Sequence, residues 1–258
     1  TEMAFPLTVH LGYGQEKVET SDQKQKLGTK AVLPDGRVFY YAQNSSAAIT
    51  SAGQIVDGSV LVGDHDMDVP PTATHSVGAT TVSLEVPTTD LTLNQYKDGY
   101  LVFNDGTGEG EVYRIKSHPA HDASDDATVV FTIDESDGLR SAITADTEAQ
   151  LVYNPYTAVK IIDGDGTAST GPLGVTTIPL TASYYGWIQT SGISSVLVSG
   201  TTILIVGDGI AVSQVSGQSG AATLFDSSGA TDQVPIGTAM GVVSIATDFG
   251  LVMLNIRS

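Results

Sequence analysis

Apolar residues in this chain come in short runs, each closed by glycine, proline or an Asn/Asp turn. Residues 27–44 hold two such runs, Ala31-Val32-Leu33 and Val38-Phe39-Tyr40-Tyr41-Ala42, around Pro34-Asp35-Gly36. Proline presets φ and glycine is free to take positive φ, so the segment predicts a hairpin that exposes Arg37. Strand-like runs follow at 81–86, 100–104, 111–116, 128–133 and 150–153, with Asn104-Asp105-Gly106 as a hairpin signal between the second and third. The grammar repeats at 176–180, 186–190, 196–198, 203–206, 211–215, 242–245 and 251–256. Helical spacing is nowhere sustained, and 139–145 allows one helical turn at most. The expectation is an all-β chain of sandwich or barrel-type domains.

Punctuation along the chain suggests four parts. Residues 1–26 are polar, mixed in charge and aperiodic, which predicts an extended N-terminal arm ordered only by docking on something else. Residues 27–75 read as the hairpin and strands that join a C-terminal β domain at 158–258. Pro70-Pro71 and Asn154-Pro155 bracket an inserted, small-barrel-like β domain at 76–157.

Charge sharpens this division. The 258 residues carry a net charge of −18. Residues 41–160 hold 18 acidic and 5 basic side chains, whereas no Lys or Arg occurs from Ile161 to Ile256. Nucleic acid is excluded as a partner, because phosphate contacts need clustered Lys and Arg. The acidic block reads as solubilising and self-repelling, and the charge-poor last third as packed against partners over much of its surface. No apolar run approaches the ~20 residues that span a bilayer, so no membrane partner is expected. Residues 1–20 lack the basic start and apolar core of a signal peptide, which favours a cytoplasmic or virion-borne protein.

Candidate chemistry is sparse. The chain has no cysteine, hence neither disulfides nor thiolate metal sites. Asp64, Asp66 and Asp68 alternate like the start of a calcium loop, but Val69 and His75 stand where glycine and the twelfth-position glutamate belong. Asp163-Gly164-Asp165-Gly166 is equally well a turn. Gly106-Thr107-Gly108-Glu109-Gly110 lacks the Gly-Lys-Ser/Thr ending of a phosphate loop. His118, His121 and Asp122 have no second ligand cluster nearby in sequence. No Gly-x-Ser-x-Gly elbow occurs. The expectation is therefore a non-enzymatic protein without cofactor or metal. Tyr184, Tyr185 and Trp187 could stack on a sugar, but a strand tryptophan of this kind is more often core or interface.

Three sets of residues resemble capsid decoration (cement) proteins of tailed double-stranded DNA bacteriophages, of the environmental and marine type. They are Lys26-Leu27-Gly28-Thr29 with Asp35-Gly36-Arg37-Val38-Phe39-Tyr40-Tyr41-Ala42; Gly99-Tyr100-Leu101, Gly108-Glu109-Gly110, Tyr113-Arg114-Ile115 and Asn154-Pro155-Tyr156; and Tyr184-Tyr185-Gly186-Trp187-Ile188-Gln189-Thr190-Ser191-Gly192 with Val206-Gly207-Asp208, Ile236-Gly237 and the last strand. The resemblance implies a virion protein, made in the bacterial host cytoplasm, that sits on the outer head surface. It implies the major capsid protein and other copies of this chain as partners. Arg37, Phe39, Tyr40, Tyr41, Trp187 and Gln189 are the expected contact residues. The alternative is a carbohydrate- or receptor-binding β module of a tail fibre or adhesin. A polysaccharide-degrading enzyme would need a carboxylate that the sequence does not nominate.

Overall fold

The computed structural model describes residues 8–59, 61–86, 89–124, 128–164, 170–200, 203–226, 233–243 and 248–257. Among them the chain is all-β, with a single 3-10 turn at Gln15–Lys17. It divides into two compact units, Thr1–Ser59 with Pro155–Ser258, and Val60–Asn154. The first contains β1 (Val9–His10), β2 (Lys30–Val32), β3 (Val38–Gln43) and β4 (Ile55–Asp57). The second contains β5 (Thr81–Glu85), β6 (Tyr100–Asp105), β7 (Val112–Ser117), β8 (Thr128–Ile133) and β9 (Glu148–Val152). The chain then returns to the first for β10 (Lys160–Ile161), β11 (Gly174–Thr176), β12 (Tyr185–Leu197), β13 (Gly209–Val212), β14 (Ala222–Leu224), β15 (Pro235–Ala239) and β16 (Phe249–Asn255).

The first unit is built around β12. Its first half pairs with β3 on one side and β11 on the other, and its second half pairs with β16, giving the order β1-β2-β3-β12-β16-β15-β13-β14. Each half serves its own core. Phe39, Tyr41, Leu173, Trp187 and Ile188 fill one; Val196, Ile210, Ile236, Val252 and Leu254 fill the other. Glycine at 192 reads in the sequence as the end of a strand. Here it sits inside the 13-residue β12 at φ 87°, beside a register shift between Gln189 and Ser191. The glycine makes a bulge rather than a turn, so the two expected strands at 186–190 and 196–198 are one.

The N-terminal segment also differs from expectation. Residues 8–26 need no external partner: β1 pairs in parallel with β2, and Thr20 and Tyr185 exchange two backbone hydrogen bonds of 2.9 Å. Glu19 accepts bonds from the Thr181 backbone N–H and hydroxyl at 2.8 and 2.6 Å, and Glu16 is buried. Polar composition hid this, because the segment is held by carboxylates and backbone rather than by an apolar stripe. Residues 1–7 lie outside the described residues.

The second unit is an antiparallel sheet of order β5-β8-β7-β6-β9 around Leu84, Tyr96, Phe103, Tyr113, Ile115 and Phe131. Its two edges are bridged by one stretch: Val69 pairs with Ala149 in β9, and Pro71 with Leu84 in β5. The Pro70 carbonyl accepts from Glu85 N–H at 2.8 Å. Pro70-Pro71 thus lies inside the second unit, joined to both edges of its sheet, rather than at its border, and the unit begins at Val60 rather than at 76. Proline fits because only its carbonyl is required there. At the other end Tyr156, expected inside the insertion, belongs to the core of the first unit. The helical turn expected at 139–145 is absent, since Ile143 bridges His75 as extended chain.

Candidate functional site

Five of the six residues singled out in the sequence converge on one strand pair, and Arg37 lies in the turn that precedes it. β3 and β12 are antiparallel, with Tyr41 opposite Trp187, Tyr40 opposite Ile188 and Phe39 opposite Gln189. Convergence does not make them a surface. Phe39, Tyr41, Trp187 and Gln189 are 0%, 3%, 7% and 1% exposed, so the first unit uses them for its own packing. The aromatic runs that looked like contact residues are core because β3 is covered over most of its length. Tyr41 meets Trp187 edge-on with ring centroids 5.0 Å apart. Gln189 has a backbone role: its amide donates to the carbonyls of Ser191 and Ile193 at 3.1 and 2.9 Å, clamping the bulge. Tyr40 is half-buried and stacks flat on Tyr156 at 5.1 Å.

Arg37 is held at the turn before β3. Its Nε donates to Asp35 Oδ2 at 2.9 Å, an Nη lies 4.0 Å from Glu16, and the guanidinium sits 5.8 Å from the Phe39 ring centroid. Two clefts flank this strand pair. One, of about 460 Å³, has Arg37, Gln189, Thr176 and Ser195 among its walls and Ile193, Phe249 and Leu251 at its apolar side. The other, of about 260 Å³, runs between the N-terminal segment and the sheet, lined by Val9, Leu11, Val18, Tyr41 and Trp187.

The scarcity of charge noted in the last third of the sequence is complete in five of its strands. β12, β13, β14, β15 and β16 contain no charged residue at all. β16 alternates with a period of two, burying Gly250, Val252 and Leu254 while exposing Phe249, Leu251 and Met253. The second unit is the opposite: residues 60–154 carry 17 acidic and 4 basic side chains.

Candidate chemistry elsewhere resolves into structure. His118 Nε2 accepts the Tyr96 backbone N–H at 2.9 Å, and Nδ1 faces the Pro119 carbonyl at 2.8 Å. His65 is fully buried, with Nδ1 2.8 Å from the Tyr96 hydroxyl and Nε2 3.2 Å from the Thr89 carbonyl. Burial pushes both histidines below their ordinary pKa and the Tyr96 phenol above its own. Asp68 accepts from the Asn104 amide, and Asp64 from the Thr89 hydroxyl. Among the described residues, no group of three or more His, Asp or Glu is placed to hold a metal ion. Asp165 and Gly166 lie outside the described residues. No protein-family model, curated protein or solved structure matches this chain.

Proposed function

We propose that this protein is a structural component of a phage particle, which binds the outer surface of the assembled head and reinforces joints between major capsid subunits. The observation that carries the reading is the partition of charge. A sheet with five uncharged strands suits burial against protein, and the cores of interfaces are depleted in charge. A unit bearing net −13 suits a solvent-facing knob that keeps particles apart and away from nucleic acid. Arg37, Tyr40 and the cleft above Tyr41 and Trp187 are the parts of the expected contact set that a capsid subunit can reach. Such a protein acts by mass action: binding only the mature shell stabilises it by RT ln(1 + [L]/Kd) per site, with no bond made or broken. The tail-fibre reading would need Trp187 as a stacking face, and at 7% exposed it contributes only to the wall of that cleft. Mass spectrometry of purified particles tests the proposal. The chain should appear on tailless heads at a fixed ratio to the major capsid protein; confinement to tails overturns it.

A further inference from the structure

Strand β16, Phe-Gly-Leu-Val-Met-Leu-Asn, is apolar at nearly every position, the pattern of a strand covered on both sides. The fold covers one side only. Val252 and Leu254 face the core, while Phe249, Leu251 and Met253 point outward, 47%, 46% and 38% exposed. The register extends this outward face across the sheet. Met253 lies opposite Ile193 in β12 and opposite Thr238 in β15, and Thr238 lies opposite Gly209 in β13. Phe225, just after β14, donates its N–H to the Gly209 carbonyl, and Met240 donates its N–H to the Leu251 carbonyl. Ile193, Phe225 and Met240 are exposed.

At roughly half exposure, these six side chains present on the order of 500 Å², at the upper end of the largest apolar patch of an ordinary monomer and a large part of one side of a standard protein–protein interface. We infer that this outward face of β12, β16, β15 and β13 is where a second copy of the chain seats, sheet against sheet. Three observations choose that occupant. The five strands are uncharged, and interfaces between identical subunits are the more apolar kind. The chain is otherwise acidic, at −18, so two copies meet at least electrostatic cost through a face that bears no charge. The face is exposed from the moment of folding, and another copy is the one partner always present then. A wall of Ile193, Phe249 and Leu251 also borders the 460 Å³ cleft, which gives an approaching side chain a place to enter. This goes beyond the proposed head-binding role and concerns the free protein; the two readings share the uncharged strands as an observation, and a pair seated on this face leaves Arg37, Tyr40 and the cleft above Tyr41 and Trp187 for the shell.

The test is sedimentation of the full chain at micromolar concentration. The wild-type protein should run at a multiple of 26.7 kDa. Leu251→Asp with Met253→Asp, both outward-facing, should weaken association on the order of a hundredfold by placing unpaired carboxylates in the contact. Val130→Asp, on the exposed side of β8, should leave it unchanged. Because the chain has no cysteine, a thiol at Met253→Cys is the only one present. A short bismaleimide should join copies through it and not through Val130→Cys, whether or not the aspartate variant folds. A monomeric wild type, an unaffected double variant or absence of cross-linking overturns the inference. A monomer that still binds heads would overturn it while leaving the proposed function standing.

Discussion

Arg37 lies across Gly192. A methyl group built on that glycine would stand 2.9 Å from the arginine Cγ and 3.2 Å from its Cα. The glycine also holds φ 87°, a conformation that side-chain-bearing residues rarely adopt. The turn before β3 and the bulge of β12 are therefore fitted to each other, and the fit fixes both the position of Arg37 and the point where β12 passes from one core to the other.

Replacing Gly192 with alanine should cost about 2 kcal/mol or more, from backbone strain and the clash together. Arg37→Ala in the same chain should recover only part, since it removes Cγ but not the φ requirement. A urea-denaturation double-mutant cycle reads the coupling. Strict additivity would show that the two residues do not press on one another.

Trp187 is the only tryptophan, so its fluorescence reports the first unit alone. Iodide should quench it weakly in the free protein, and Trp187→Ala should destabilise the unit by about 3–5 kcal/mol. Strong quenching would contradict the packing of Trp187 against Tyr41.

The second unit should be acid-sensitive. His65 and His118 are held neutral by burial, with their folded-state pKa values below the ordinary 6.5. In His118 one ring nitrogen must stay bare, because the Pro119 carbonyl can only accept and the Tyr96 N–H facing the other nitrogen can only donate; in His65 the Thr89 carbonyl takes the Nε2 proton and Nδ1 meets the Tyr96 hydroxyl. The unfolded chain therefore takes up protons first as pH falls. Stability from these groups is complete above about pH 6.5 and is lost as pH drops from there through the depressed values. Hydrogen exchange across 60–154 should accelerate at pH 5 relative to pH 7. His118→Gln, which keeps an acceptor but binds no proton, should flatten the dependence. An unchanged profile in that variant would exclude His118 as a source.

Excision of the second unit depends on where the cuts fall. Ser59 donates its hydroxyl to the Thr157 carbonyl at 3.1 Å, so the ends at 59 and 155 are already close and a short Gly-Ser linker should join them. The remaining chain should fold with its tryptophan fluorescence intact. Cuts at 76 and 157 should fail, because they remove Tyr156 from the first core and leave Val69 and Pro71 without the strands they bridge. Equal solubility and melting of the two deletions would contradict these boundaries.

Strand content was legible in the sequence because alternation and glycine punctuation are local, and the 100–104 and 128–133 runs lie in β6 and β8. What the sequence hid was long-range use of local signals. Pro70-Pro71 reads as a domain boundary until Ala149 and Leu84 are seen to pair around it. Gly192 reads as a turn until Arg37 is seen to cover it. The polar residues 8–26 read as a loose arm because their anchors, Thr181 and Tyr185, lie far along the chain. Aromatic density drew attention to Phe39 and Tyr41, whereas the uncharged face of β16 carries no motif and is visible only once one side is known to be covered.

The account turns on the first unit, with its five uncharged strands, being the part that binds the shell. Purified heads stripped of this protein should be mixed with the full chain and with the chain lacking 60–154, then sedimented to measure bound copies per head. Both should saturate at the same ratio to the major capsid protein with similar affinity. A deletion that folds yet leaves the heads bare, or a full chain that does not bind them, would contradict the division of labour.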